Sequence, residues 1–266
     1  MAYAPKGATP ATAAANRAAV ARYDMADRQD FADADRGFIA PFPEPLRNAA
    51  GQVIFDAARF DHLAEDAPAP DTVEPSLWRQ SQVIRKGGLY KVVDGVYQVR
   101  NNDIANLTVV EGDTGLVVVD CMASVEAAAQ SMAMIREHVS DKPVAAVIYT
   151  HTHIDHYGGV KGVVSAQDVA SGRVPIIAPG TISSFDKHAI GENVIAGNAM
   201  SRRASYAFNS LLDYGPTGCV TCGIGITTVP GVTVSYLIRC VGSSKTSGRG
   251  PLGCLPWWTP GLSPGP

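Results

Sequence analysis

The order of the predicted elements in the middle of the chain constrains its fold more than any other feature. Apolar runs of strand length, separated by turn signals such as Asp94-Gly95, predict an antiparallel meander over residues 88–120. Apolar residues then recur at helical spacing over 123–138, which predicts an amphipathic helix. A β-branched apolar run at 143–150 predicts a buried strand. Strands, a helix and a buried strand in this order indicate an α/β fold.

The flanking regions differ in character from this central part. Residues 1–75 combine scattered helical signals with Pro-rich stretches, and we interpret them as an N-terminal arm that wraps another surface. A domain is expected over 76–238, with a further helix at 160–170 and a short strand at 174–179. Residues 239–266 form a Gly/Pro-rich tail with no helical or alternating period, which predicts disorder or a frameshifted end.

Composition narrows the class of partner. Lys+Arg 22 against Asp+Glu 25 gives a net charge of −3, which argues against a general nucleic-acid or anionic-membrane binder. No apolar run reaches the roughly 18 residues that a membrane helix needs. The expected partner is therefore a small molecule. The N-terminus lacks the continuous apolar segment of a secretory signal, so the default expectation for localisation is the cytoplasm.

A cluster of metal-ligand residues follows the buried strand directly. In THTHIDHYGG (150–159), three histidines and one aspartate lie within six positions. Imidazole nitrogen and carboxylate oxygen suit Zn²⁺, and residues two apart in an extended loop point the same way. We therefore expect His151 and His153 to share one metal, and Asp155 and His156 to ligate a second one. Asp155 is also the candidate catalytic residue.

Two of these assignments have a simpler alternative interpretation. A single histidine in a polar loop is usually a solvent-facing residue, but three histidines together favour a metal site. Asp120, at the end of the apolar run before the helix, is either a carboxylate that orients a ligand histidine or an ordinary turn residue.

The histidine string resembles that of the metallo-β-lactamase superfamily, whose fold is an αββα sandwich with a binuclear site. Further segments are similar to the class III alkyl sulfatases, zinc enzymes that hydrolyse alkyl sulfate esters such as dodecyl sulfate. These segments are RQDFADADRGFIAP (28–41), SLWRQSQ (76–82), the meander to Asp120, AVIYTHTHIDHYGGVKGV (146–163) and ENVIAGNAMSRRA (192–204). The last segment is the most family-specific. It argues against the alternative that the chain is another hydrolase of the superfamily, such as a lactonase or thioesterase.

The resemblance implies two zinc ions per site and a zinc-bound hydroxide that attacks the sulfate ester. It makes Asn198 a candidate substrate contact, and it implies a homodimer in full-length members. Those members resemble periplasmic or secreted enzymes.

The chain also departs from the family pattern. The family completes its metal sites with two Glu and one His from the second half of the domain, and no Asp, Glu or His follows Asp213. We therefore expect only the N-terminal half of the sandwich, with one sheet face exposed. The alternative function is a catalytically inactive, truncated fragment of such an enzyme, in which zinc held by two protein ligands is weak.

Overall fold

A computed structural model describes residues 6–43, 45–180, 182–191, 202, 205–207 and 212–221 of the chain. Within these ranges the protein has one large mixed sheet, a two-stranded sheet and six α-helices. In the same ranges no helix combines the length and the apolar character needed to cross a lipid bilayer.

The first elements lie within the predicted arm and its junction with the sheet. They are α1 (Pro10–Val20), α2 (Gln29–Asp35), β1 (Phe38–Ala40), β2 (Leu46–Arg47), β3 (Val53–Phe55), a 3₁₀ helix at Ala57–Leu63 and α3 (Pro75–Ile84). Helix α3 begins at a proline, whose missing N–H costs nothing there, and the preceding Glu74 carboxylate accepts hydrogen bonds from two first-turn amides.

The remaining elements build and cover the large sheet. They are β4 (Gly88–Val93), β5 (Val96–Arg100), β6 (Leu107–Glu111), β7 (Leu116–Val119), α4 (Val125–His138), β8 (Val144–Ile148), α5 (Ala166–Ser171), β9 (Ile176–Ile177) and α6 (Ile182–Ile190). The strand order is β1-β4-β5-β6-β7-β8-β9. Pairing is antiparallel from β1 to β7 and parallel from β7 to β9. The meander, the helix and the following strand are thus confirmed, but the prediction that this strand is buried is wrong. In β8 only Val147 is buried, because the strand turns one side toward the accessible face of the sheet.

Helix formation after residue 160 is shorter than the sequence predicts. A 3₁₀ helix covers Val160–Gly162, and α5 begins only at Ala166. Ser165 divides the two because its extended backbone and side-chain oxygen cap α5, with the Asp168 amide as donor. A strong N-cap residue inside the apolar pattern therefore delays the start of the α-helix to Ala166.

The two faces of the large sheet have different environments. One face contributes fully buried side chains, including Leu107, Val109 and Val118, to a single core that also contains Met132 and Ile135 of α4. The opposite face holds the alternating residues, which are partly or largely accessible; these include Thr108, Val110, Val117, Val119, Ile148 and Ile177. An apolar sheet face is therefore exposed within the described part of the chain, as expected for one half of a sandwich.

Gly158 and Gly159 allow the segment after the histidines to pack against the turn between β7 and α4. A Cβ atom at Gly159 would lie 2.0 Å from the Cys121 carbonyl oxygen, and one at Gly158 would lie 2.3 Å from that of Ala123. Only glycine permits such an approach. The two segments are therefore held in direct backbone contact.

Candidate metal centre

The predicted ligands lie at the carboxyl end of β8, beside the carboxyl end of its parallel neighbour β7. Open α/β sheets commonly bind ligands at this edge. His151 and His153 lie on the loop that follows β8, and Asp155 and His156 lie in a 3₁₀ helix at Ile154–His156. The structure therefore brings all four residues to one place.

His151 and His153 form the first pair. The Nε2 atom of His151 is 3.0 Å from the Nδ1 atom of His153. The two rings meet edge to face with their centroids 4.6 Å apart. The two imidazoles thus lie beside each other, as the sequence predicts, although the backbone bends at His151 and Thr152 and is not extended there.

Asp155 and His156 form the second pair. The Nε2 atom of His156 is 3.2 Å from the Oδ2 atom of Asp155. The rings of His151 and His156 have centroids 4.0 Å apart, so the two pairs are adjacent. Across the described residues, no three His, Cys, Asp or Glu side chains form a group that could hold one metal ion. The arrangement is thus two pairs rather than a complete ligand set.

Asp120 is the residue that connects this loop to the sheet. Its Oδ2 atom is 2.7 Å from His156 Nδ1 and also accepts a hydrogen bond from the Thr150 hydroxyl at 2.8 Å. Its Oδ1 atom accepts the Thr150 amide at 2.8 Å. Asp120 is therefore a carboxylate that orients His156, and it also lies in the turn that follows β7, with a left-handed φ of 58°.

The pKa values of His151 and His156 are shifted in opposite directions. Burial, together with the nearby His156 and His153, holds the pKa of His151 below its ordinary value. Burial opposes protonation of His156, but hydrogen bonds to Asp120 and Asp155 outweigh it and raise the pKa of His156 to about 9. The lowered pKa favours the neutral ring of His151, the form that can bind a metal ion, whereas His156 would have to release a proton before it could do so.

This raised pKa predicts how the stability of the metal-free chain depends on pH. The His156 contribution is complete below the unfolded pKa of about 6.5 and is lost as pH rises through about 9. The His156 ring is partly exposed, so solvent weakens the effect of its partners. We therefore expect the free energy of unfolding to fall by about 2 kcal/mol across this window. Urea unfolding with a chelator present measures it. His156→Gln should remove this decrease, and an identical pH dependence in both proteins would contradict the expectation.

Asp103 lies near this loop and was not found by sequence reasoning. It is 1% exposed and sits in the β5–β6 connection. Burial raises the pKa of Asp103 to about 7 against the opposing effect of backbone amides, and the charge of Asp155 adds to the increase. In the sequence, Asn101, Asn102 and Asp103 resemble an ordinary polar turn, and no pattern there marks a buried carboxylate.

The other site assignments cannot be compared with this geometry. The candidate substrate contact, Asn198, and the tail at 239–266 lie outside the described residues.

Comparisons with known proteins give the family. The family model for the metallo-beta-lactamase superfamily matches residues 100–234, which include the strands β6 to β9 and the histidine loop. The chain belongs to the metallo-beta-lactamase superfamily.

Within that superfamily the chain is a homologue of the class III alkylsulfatases. It is 48% identical over 227 residues to a linear primary-alkylsulfatase of Pseudomonas sp, covering 85% of this chain and 33% of that protein. It is 44% identical over 221 residues to the alkyl/aryl-sulfatase BDS1 of Saccharomyces cerevisiae, covering 83% of this chain and 34% of that protein.

A solved structure confirms the fold class. The stereoselective inverting sec-alkylsulfatase Pisa1 from Pseudomonas sp. superposes with a TM-score of 0.81 and 41% sequence identity, covering 87% of this chain and 36% of that one. The fold is therefore a partial metallo-beta-lactamase-like α/β fold. The chain spans about a third of the length of the curated relatives it matches.

Proposed function

We propose that this chain supplies one part of a binuclear zinc site for the hydrolysis of alkyl sulfate esters such as dodecyl sulfate. The observation that carries the proposal is the separation of the loop into two adjacent pairs of donors, His151 with His153 and Asp155 with His156. The relatives described above, a linear primary-alkylsulfatase and a sec-alkylsulfatase, support the substrate class.

The distances between the proposed ligand atoms of each pair fit a zinc ion. Two ligands of a tetrahedral zinc ion, each about 2.0 Å from the metal, are about 3.3 Å apart. The facing nitrogens of His151 and His153 are 3.0 Å apart, and the facing atoms of Asp155 and His156 are 3.2 Å apart. Each pair could accept an ion with shifts of a few tenths of an ångström. Nε2 of His151, Nδ1 of His153, and Nε2 of His156 with Oδ2 of Asp155 would be the ligand atoms.

The residues around the pairs would prepare them for this role. When bound, zinc lowers the pKa of a water molecule toward neutrality and so supplies the nucleophile. Asp120 holds the Nδ1 side of His156, which leaves Nε2 directed at Asp155. A carboxylate on the far nitrogen of a ligand histidine fixes its tautomer and raises its basicity. Asn198 remains our proposed contact to the sulfate ester.

A second candidate function is metal binding without turnover by the 266-residue chain. The observation that favours it is the absence of any group of three or more potential ligands among the described residues. Two protein ligands per ion hold zinc weakly compared with a complete set of four.

Sulfate release from dodecyl sulfate distinguishes these two functions. The assay uses the 266-residue chain with zinc added, beside the Asp155→Asn variant. Release by the chain that Asp155→Asn abolishes supports hydrolysis by this chain. Zinc binding without sulfate release supports the second candidate, and release that is unchanged in Asp155→Asn contradicts the proposed site.

A further inference from the structure

We propose that Asp103 is a positioning residue that holds the turn between β7 and α4 and, through that turn, the histidine loop. The effect that we expect of Asp103 on zinc binding rests on the proposed function. Its structural basis is independent of any metal.

Asp103 is joined to the turn by side-chain contacts. Its Oδ2 atom accepts a hydrogen bond from the Ala123 amide at 3.2 Å and lies 3.4 Å from the Ser124 hydroxyl. Its Oδ1 atom accepts the amide of Ile104 at 2.6 Å. Because Asp103 is almost inaccessible to solvent, water cannot replace these contacts.

The turn that Asp103 holds has an unusual backbone. Asp120 has a φ of 58° and Met122 a φ of 60°, both in the left-handed region that non-glycine residues seldom adopt. Such a conformation persists only where the surroundings determine it. The buried carboxylate at Ala123 and Ser124 is one such determinant, since it binds the residues immediately after Met122.

The same turn makes the backbone contacts that hold the histidine loop. The Cys121 amide donates to the His156 carbonyl at 2.8 Å, and the Gly159 amide donates to the Met122 carbonyl at 2.9 Å. Asp120, the first residue of the turn, contacts the His156 ring. A displaced turn would therefore move His156 through its backbone and its side chain together.

Asn102 fixes the position from which Asp103 acts. Its Nδ2 atom donates to the Ser131 hydroxyl at 3.2 Å and to the Ala127 carbonyl at 3.4 Å, both on α4. The β5–β6 connection is thus attached to the helix as well as to the turn that precedes it. The backbone next to Asp103 is therefore held in place by α4.

The experiment compares Asp103→Asn with Glu74→Gln in the metal-free chain. Asparagine keeps the size of the side chain but directs an NH₂ group at one of the backbone amides. Glu74→Gln is the matched control, because Glu74 also accepts two backbone amides at the start of a helix. Amide hydrogen exchange is measured for Cys121 and Gly159 and for the strands β6 and β7.

We expect Asp103→Asn to accelerate exchange at Cys121 and Gly159 by about 10- to 100-fold, the effect of one unsatisfied buried amide. The strand amides should change less, and Glu74→Gln should leave the two reporter amides unaffected. Equal acceleration at the reporter and strand amides would show a general stability effect and overturn the proposal, as would no change. If Asp103→Asn does not fold, Ser124→Ala is judged by the same criteria, beside the helix-cap control Ser165→Ala.

A zinc titration separates this inference from the proposed function. We expect Asp103→Asn to bind zinc at least tenfold more weakly than the unchanged chain. Equal affinity in the two proteins would overturn the positioning role. Absence of binding by the unchanged chain would contradict the proposed function, while the exchange result still decides the role of Asp103 in the turn.

Discussion

The double variant His151→Ala, His153→Ala should lose at least about 1,000-fold in affinity for the first zinc ion. A structural zinc site provides about 10–16 kcal/mol from four ligands, so two ligands correspond to several kcal/mol. The facing nitrogens of these residues, 3.0 Å apart, are the donors that we assign to that ion. Isothermal titration of the chelator-treated chain with zinc measures the change.

The control for this variant also removes two histidines. His138 lies at the end of α4, and His188 lies on α6, where its Nδ1 atom is 2.8 Å from the Ser184 carbonyl oxygen. The double variant His138→Ala, His188→Ala should bind zinc as the unchanged chain does. Equal losses in the two double variants would show that zinc binds histidines nonspecifically.

Replacement of Asp120 with alanine should have the second-largest effect, on stability as well as on zinc. The Asp120 side chain is 11% exposed and contacts His156 and both donors of Thr150. Without the carboxylate, the partly buried, protonated ring of His156 and the amide of Thr150 lose this acceptor. We therefore expect a loss of about 3 kcal/mol in the free energy of unfolding at pH 7. Zinc affinity should fall by about 10- to 100-fold, as for other carboxylates behind a ligand histidine.

Two further variants show whether the losses expected of Asp120→Ala come from the carboxylate itself. Asp120→Asn tolerates the left-handed backbone at φ 58°, so its loss reports the carboxylate contacts rather than backbone strain. Asp141→Ala removes an exposed aspartate between α4 and β8 and should change neither quantity. Urea unfolding and zinc titration are measured for all three. A zinc affinity in Asp120→Ala equal to that of Asp141→Ala would contradict the orienting role of Asp120.

The sequence pattern predicts the local elements well because each has a strong periodic signal. The turn signal Asp94-Gly95 lies between β4 and β5, and the apolar spacing over 123–138 gives α4. The four donors could be found because they are clustered within six residues on one loop. Periodicity and proximity along the chain are therefore sufficient for these features.

Contacts between distant residues could not be predicted in this way. Asp103 meets Ala123 across 20 positions, and Asp120 meets His156 across 36. Their partners are determined by which strand connections meet at one sheet edge, and no local pattern in a single sequence encodes that meeting. The late start of the helix predicted at 160–170 has a different origin. The side chain of Ser165 caps a helix that begins at Ala166, in the middle of an apolar spacing that continues through it.

Zinc titration followed by ¹⁵N NMR of the six histidines tests the proposed metal centre most directly. We expect metal-induced shifts at Nε2 of His151, Nδ1 of His153 and Nε2 of His156, while Nδ1 of His156 keeps its proton toward Asp120. His62, His138 and His188 should not change. Shifts at those three histidines instead, or no shift at the loop when zinc is in excess, would contradict the assignment of the histidine loop as a zinc site.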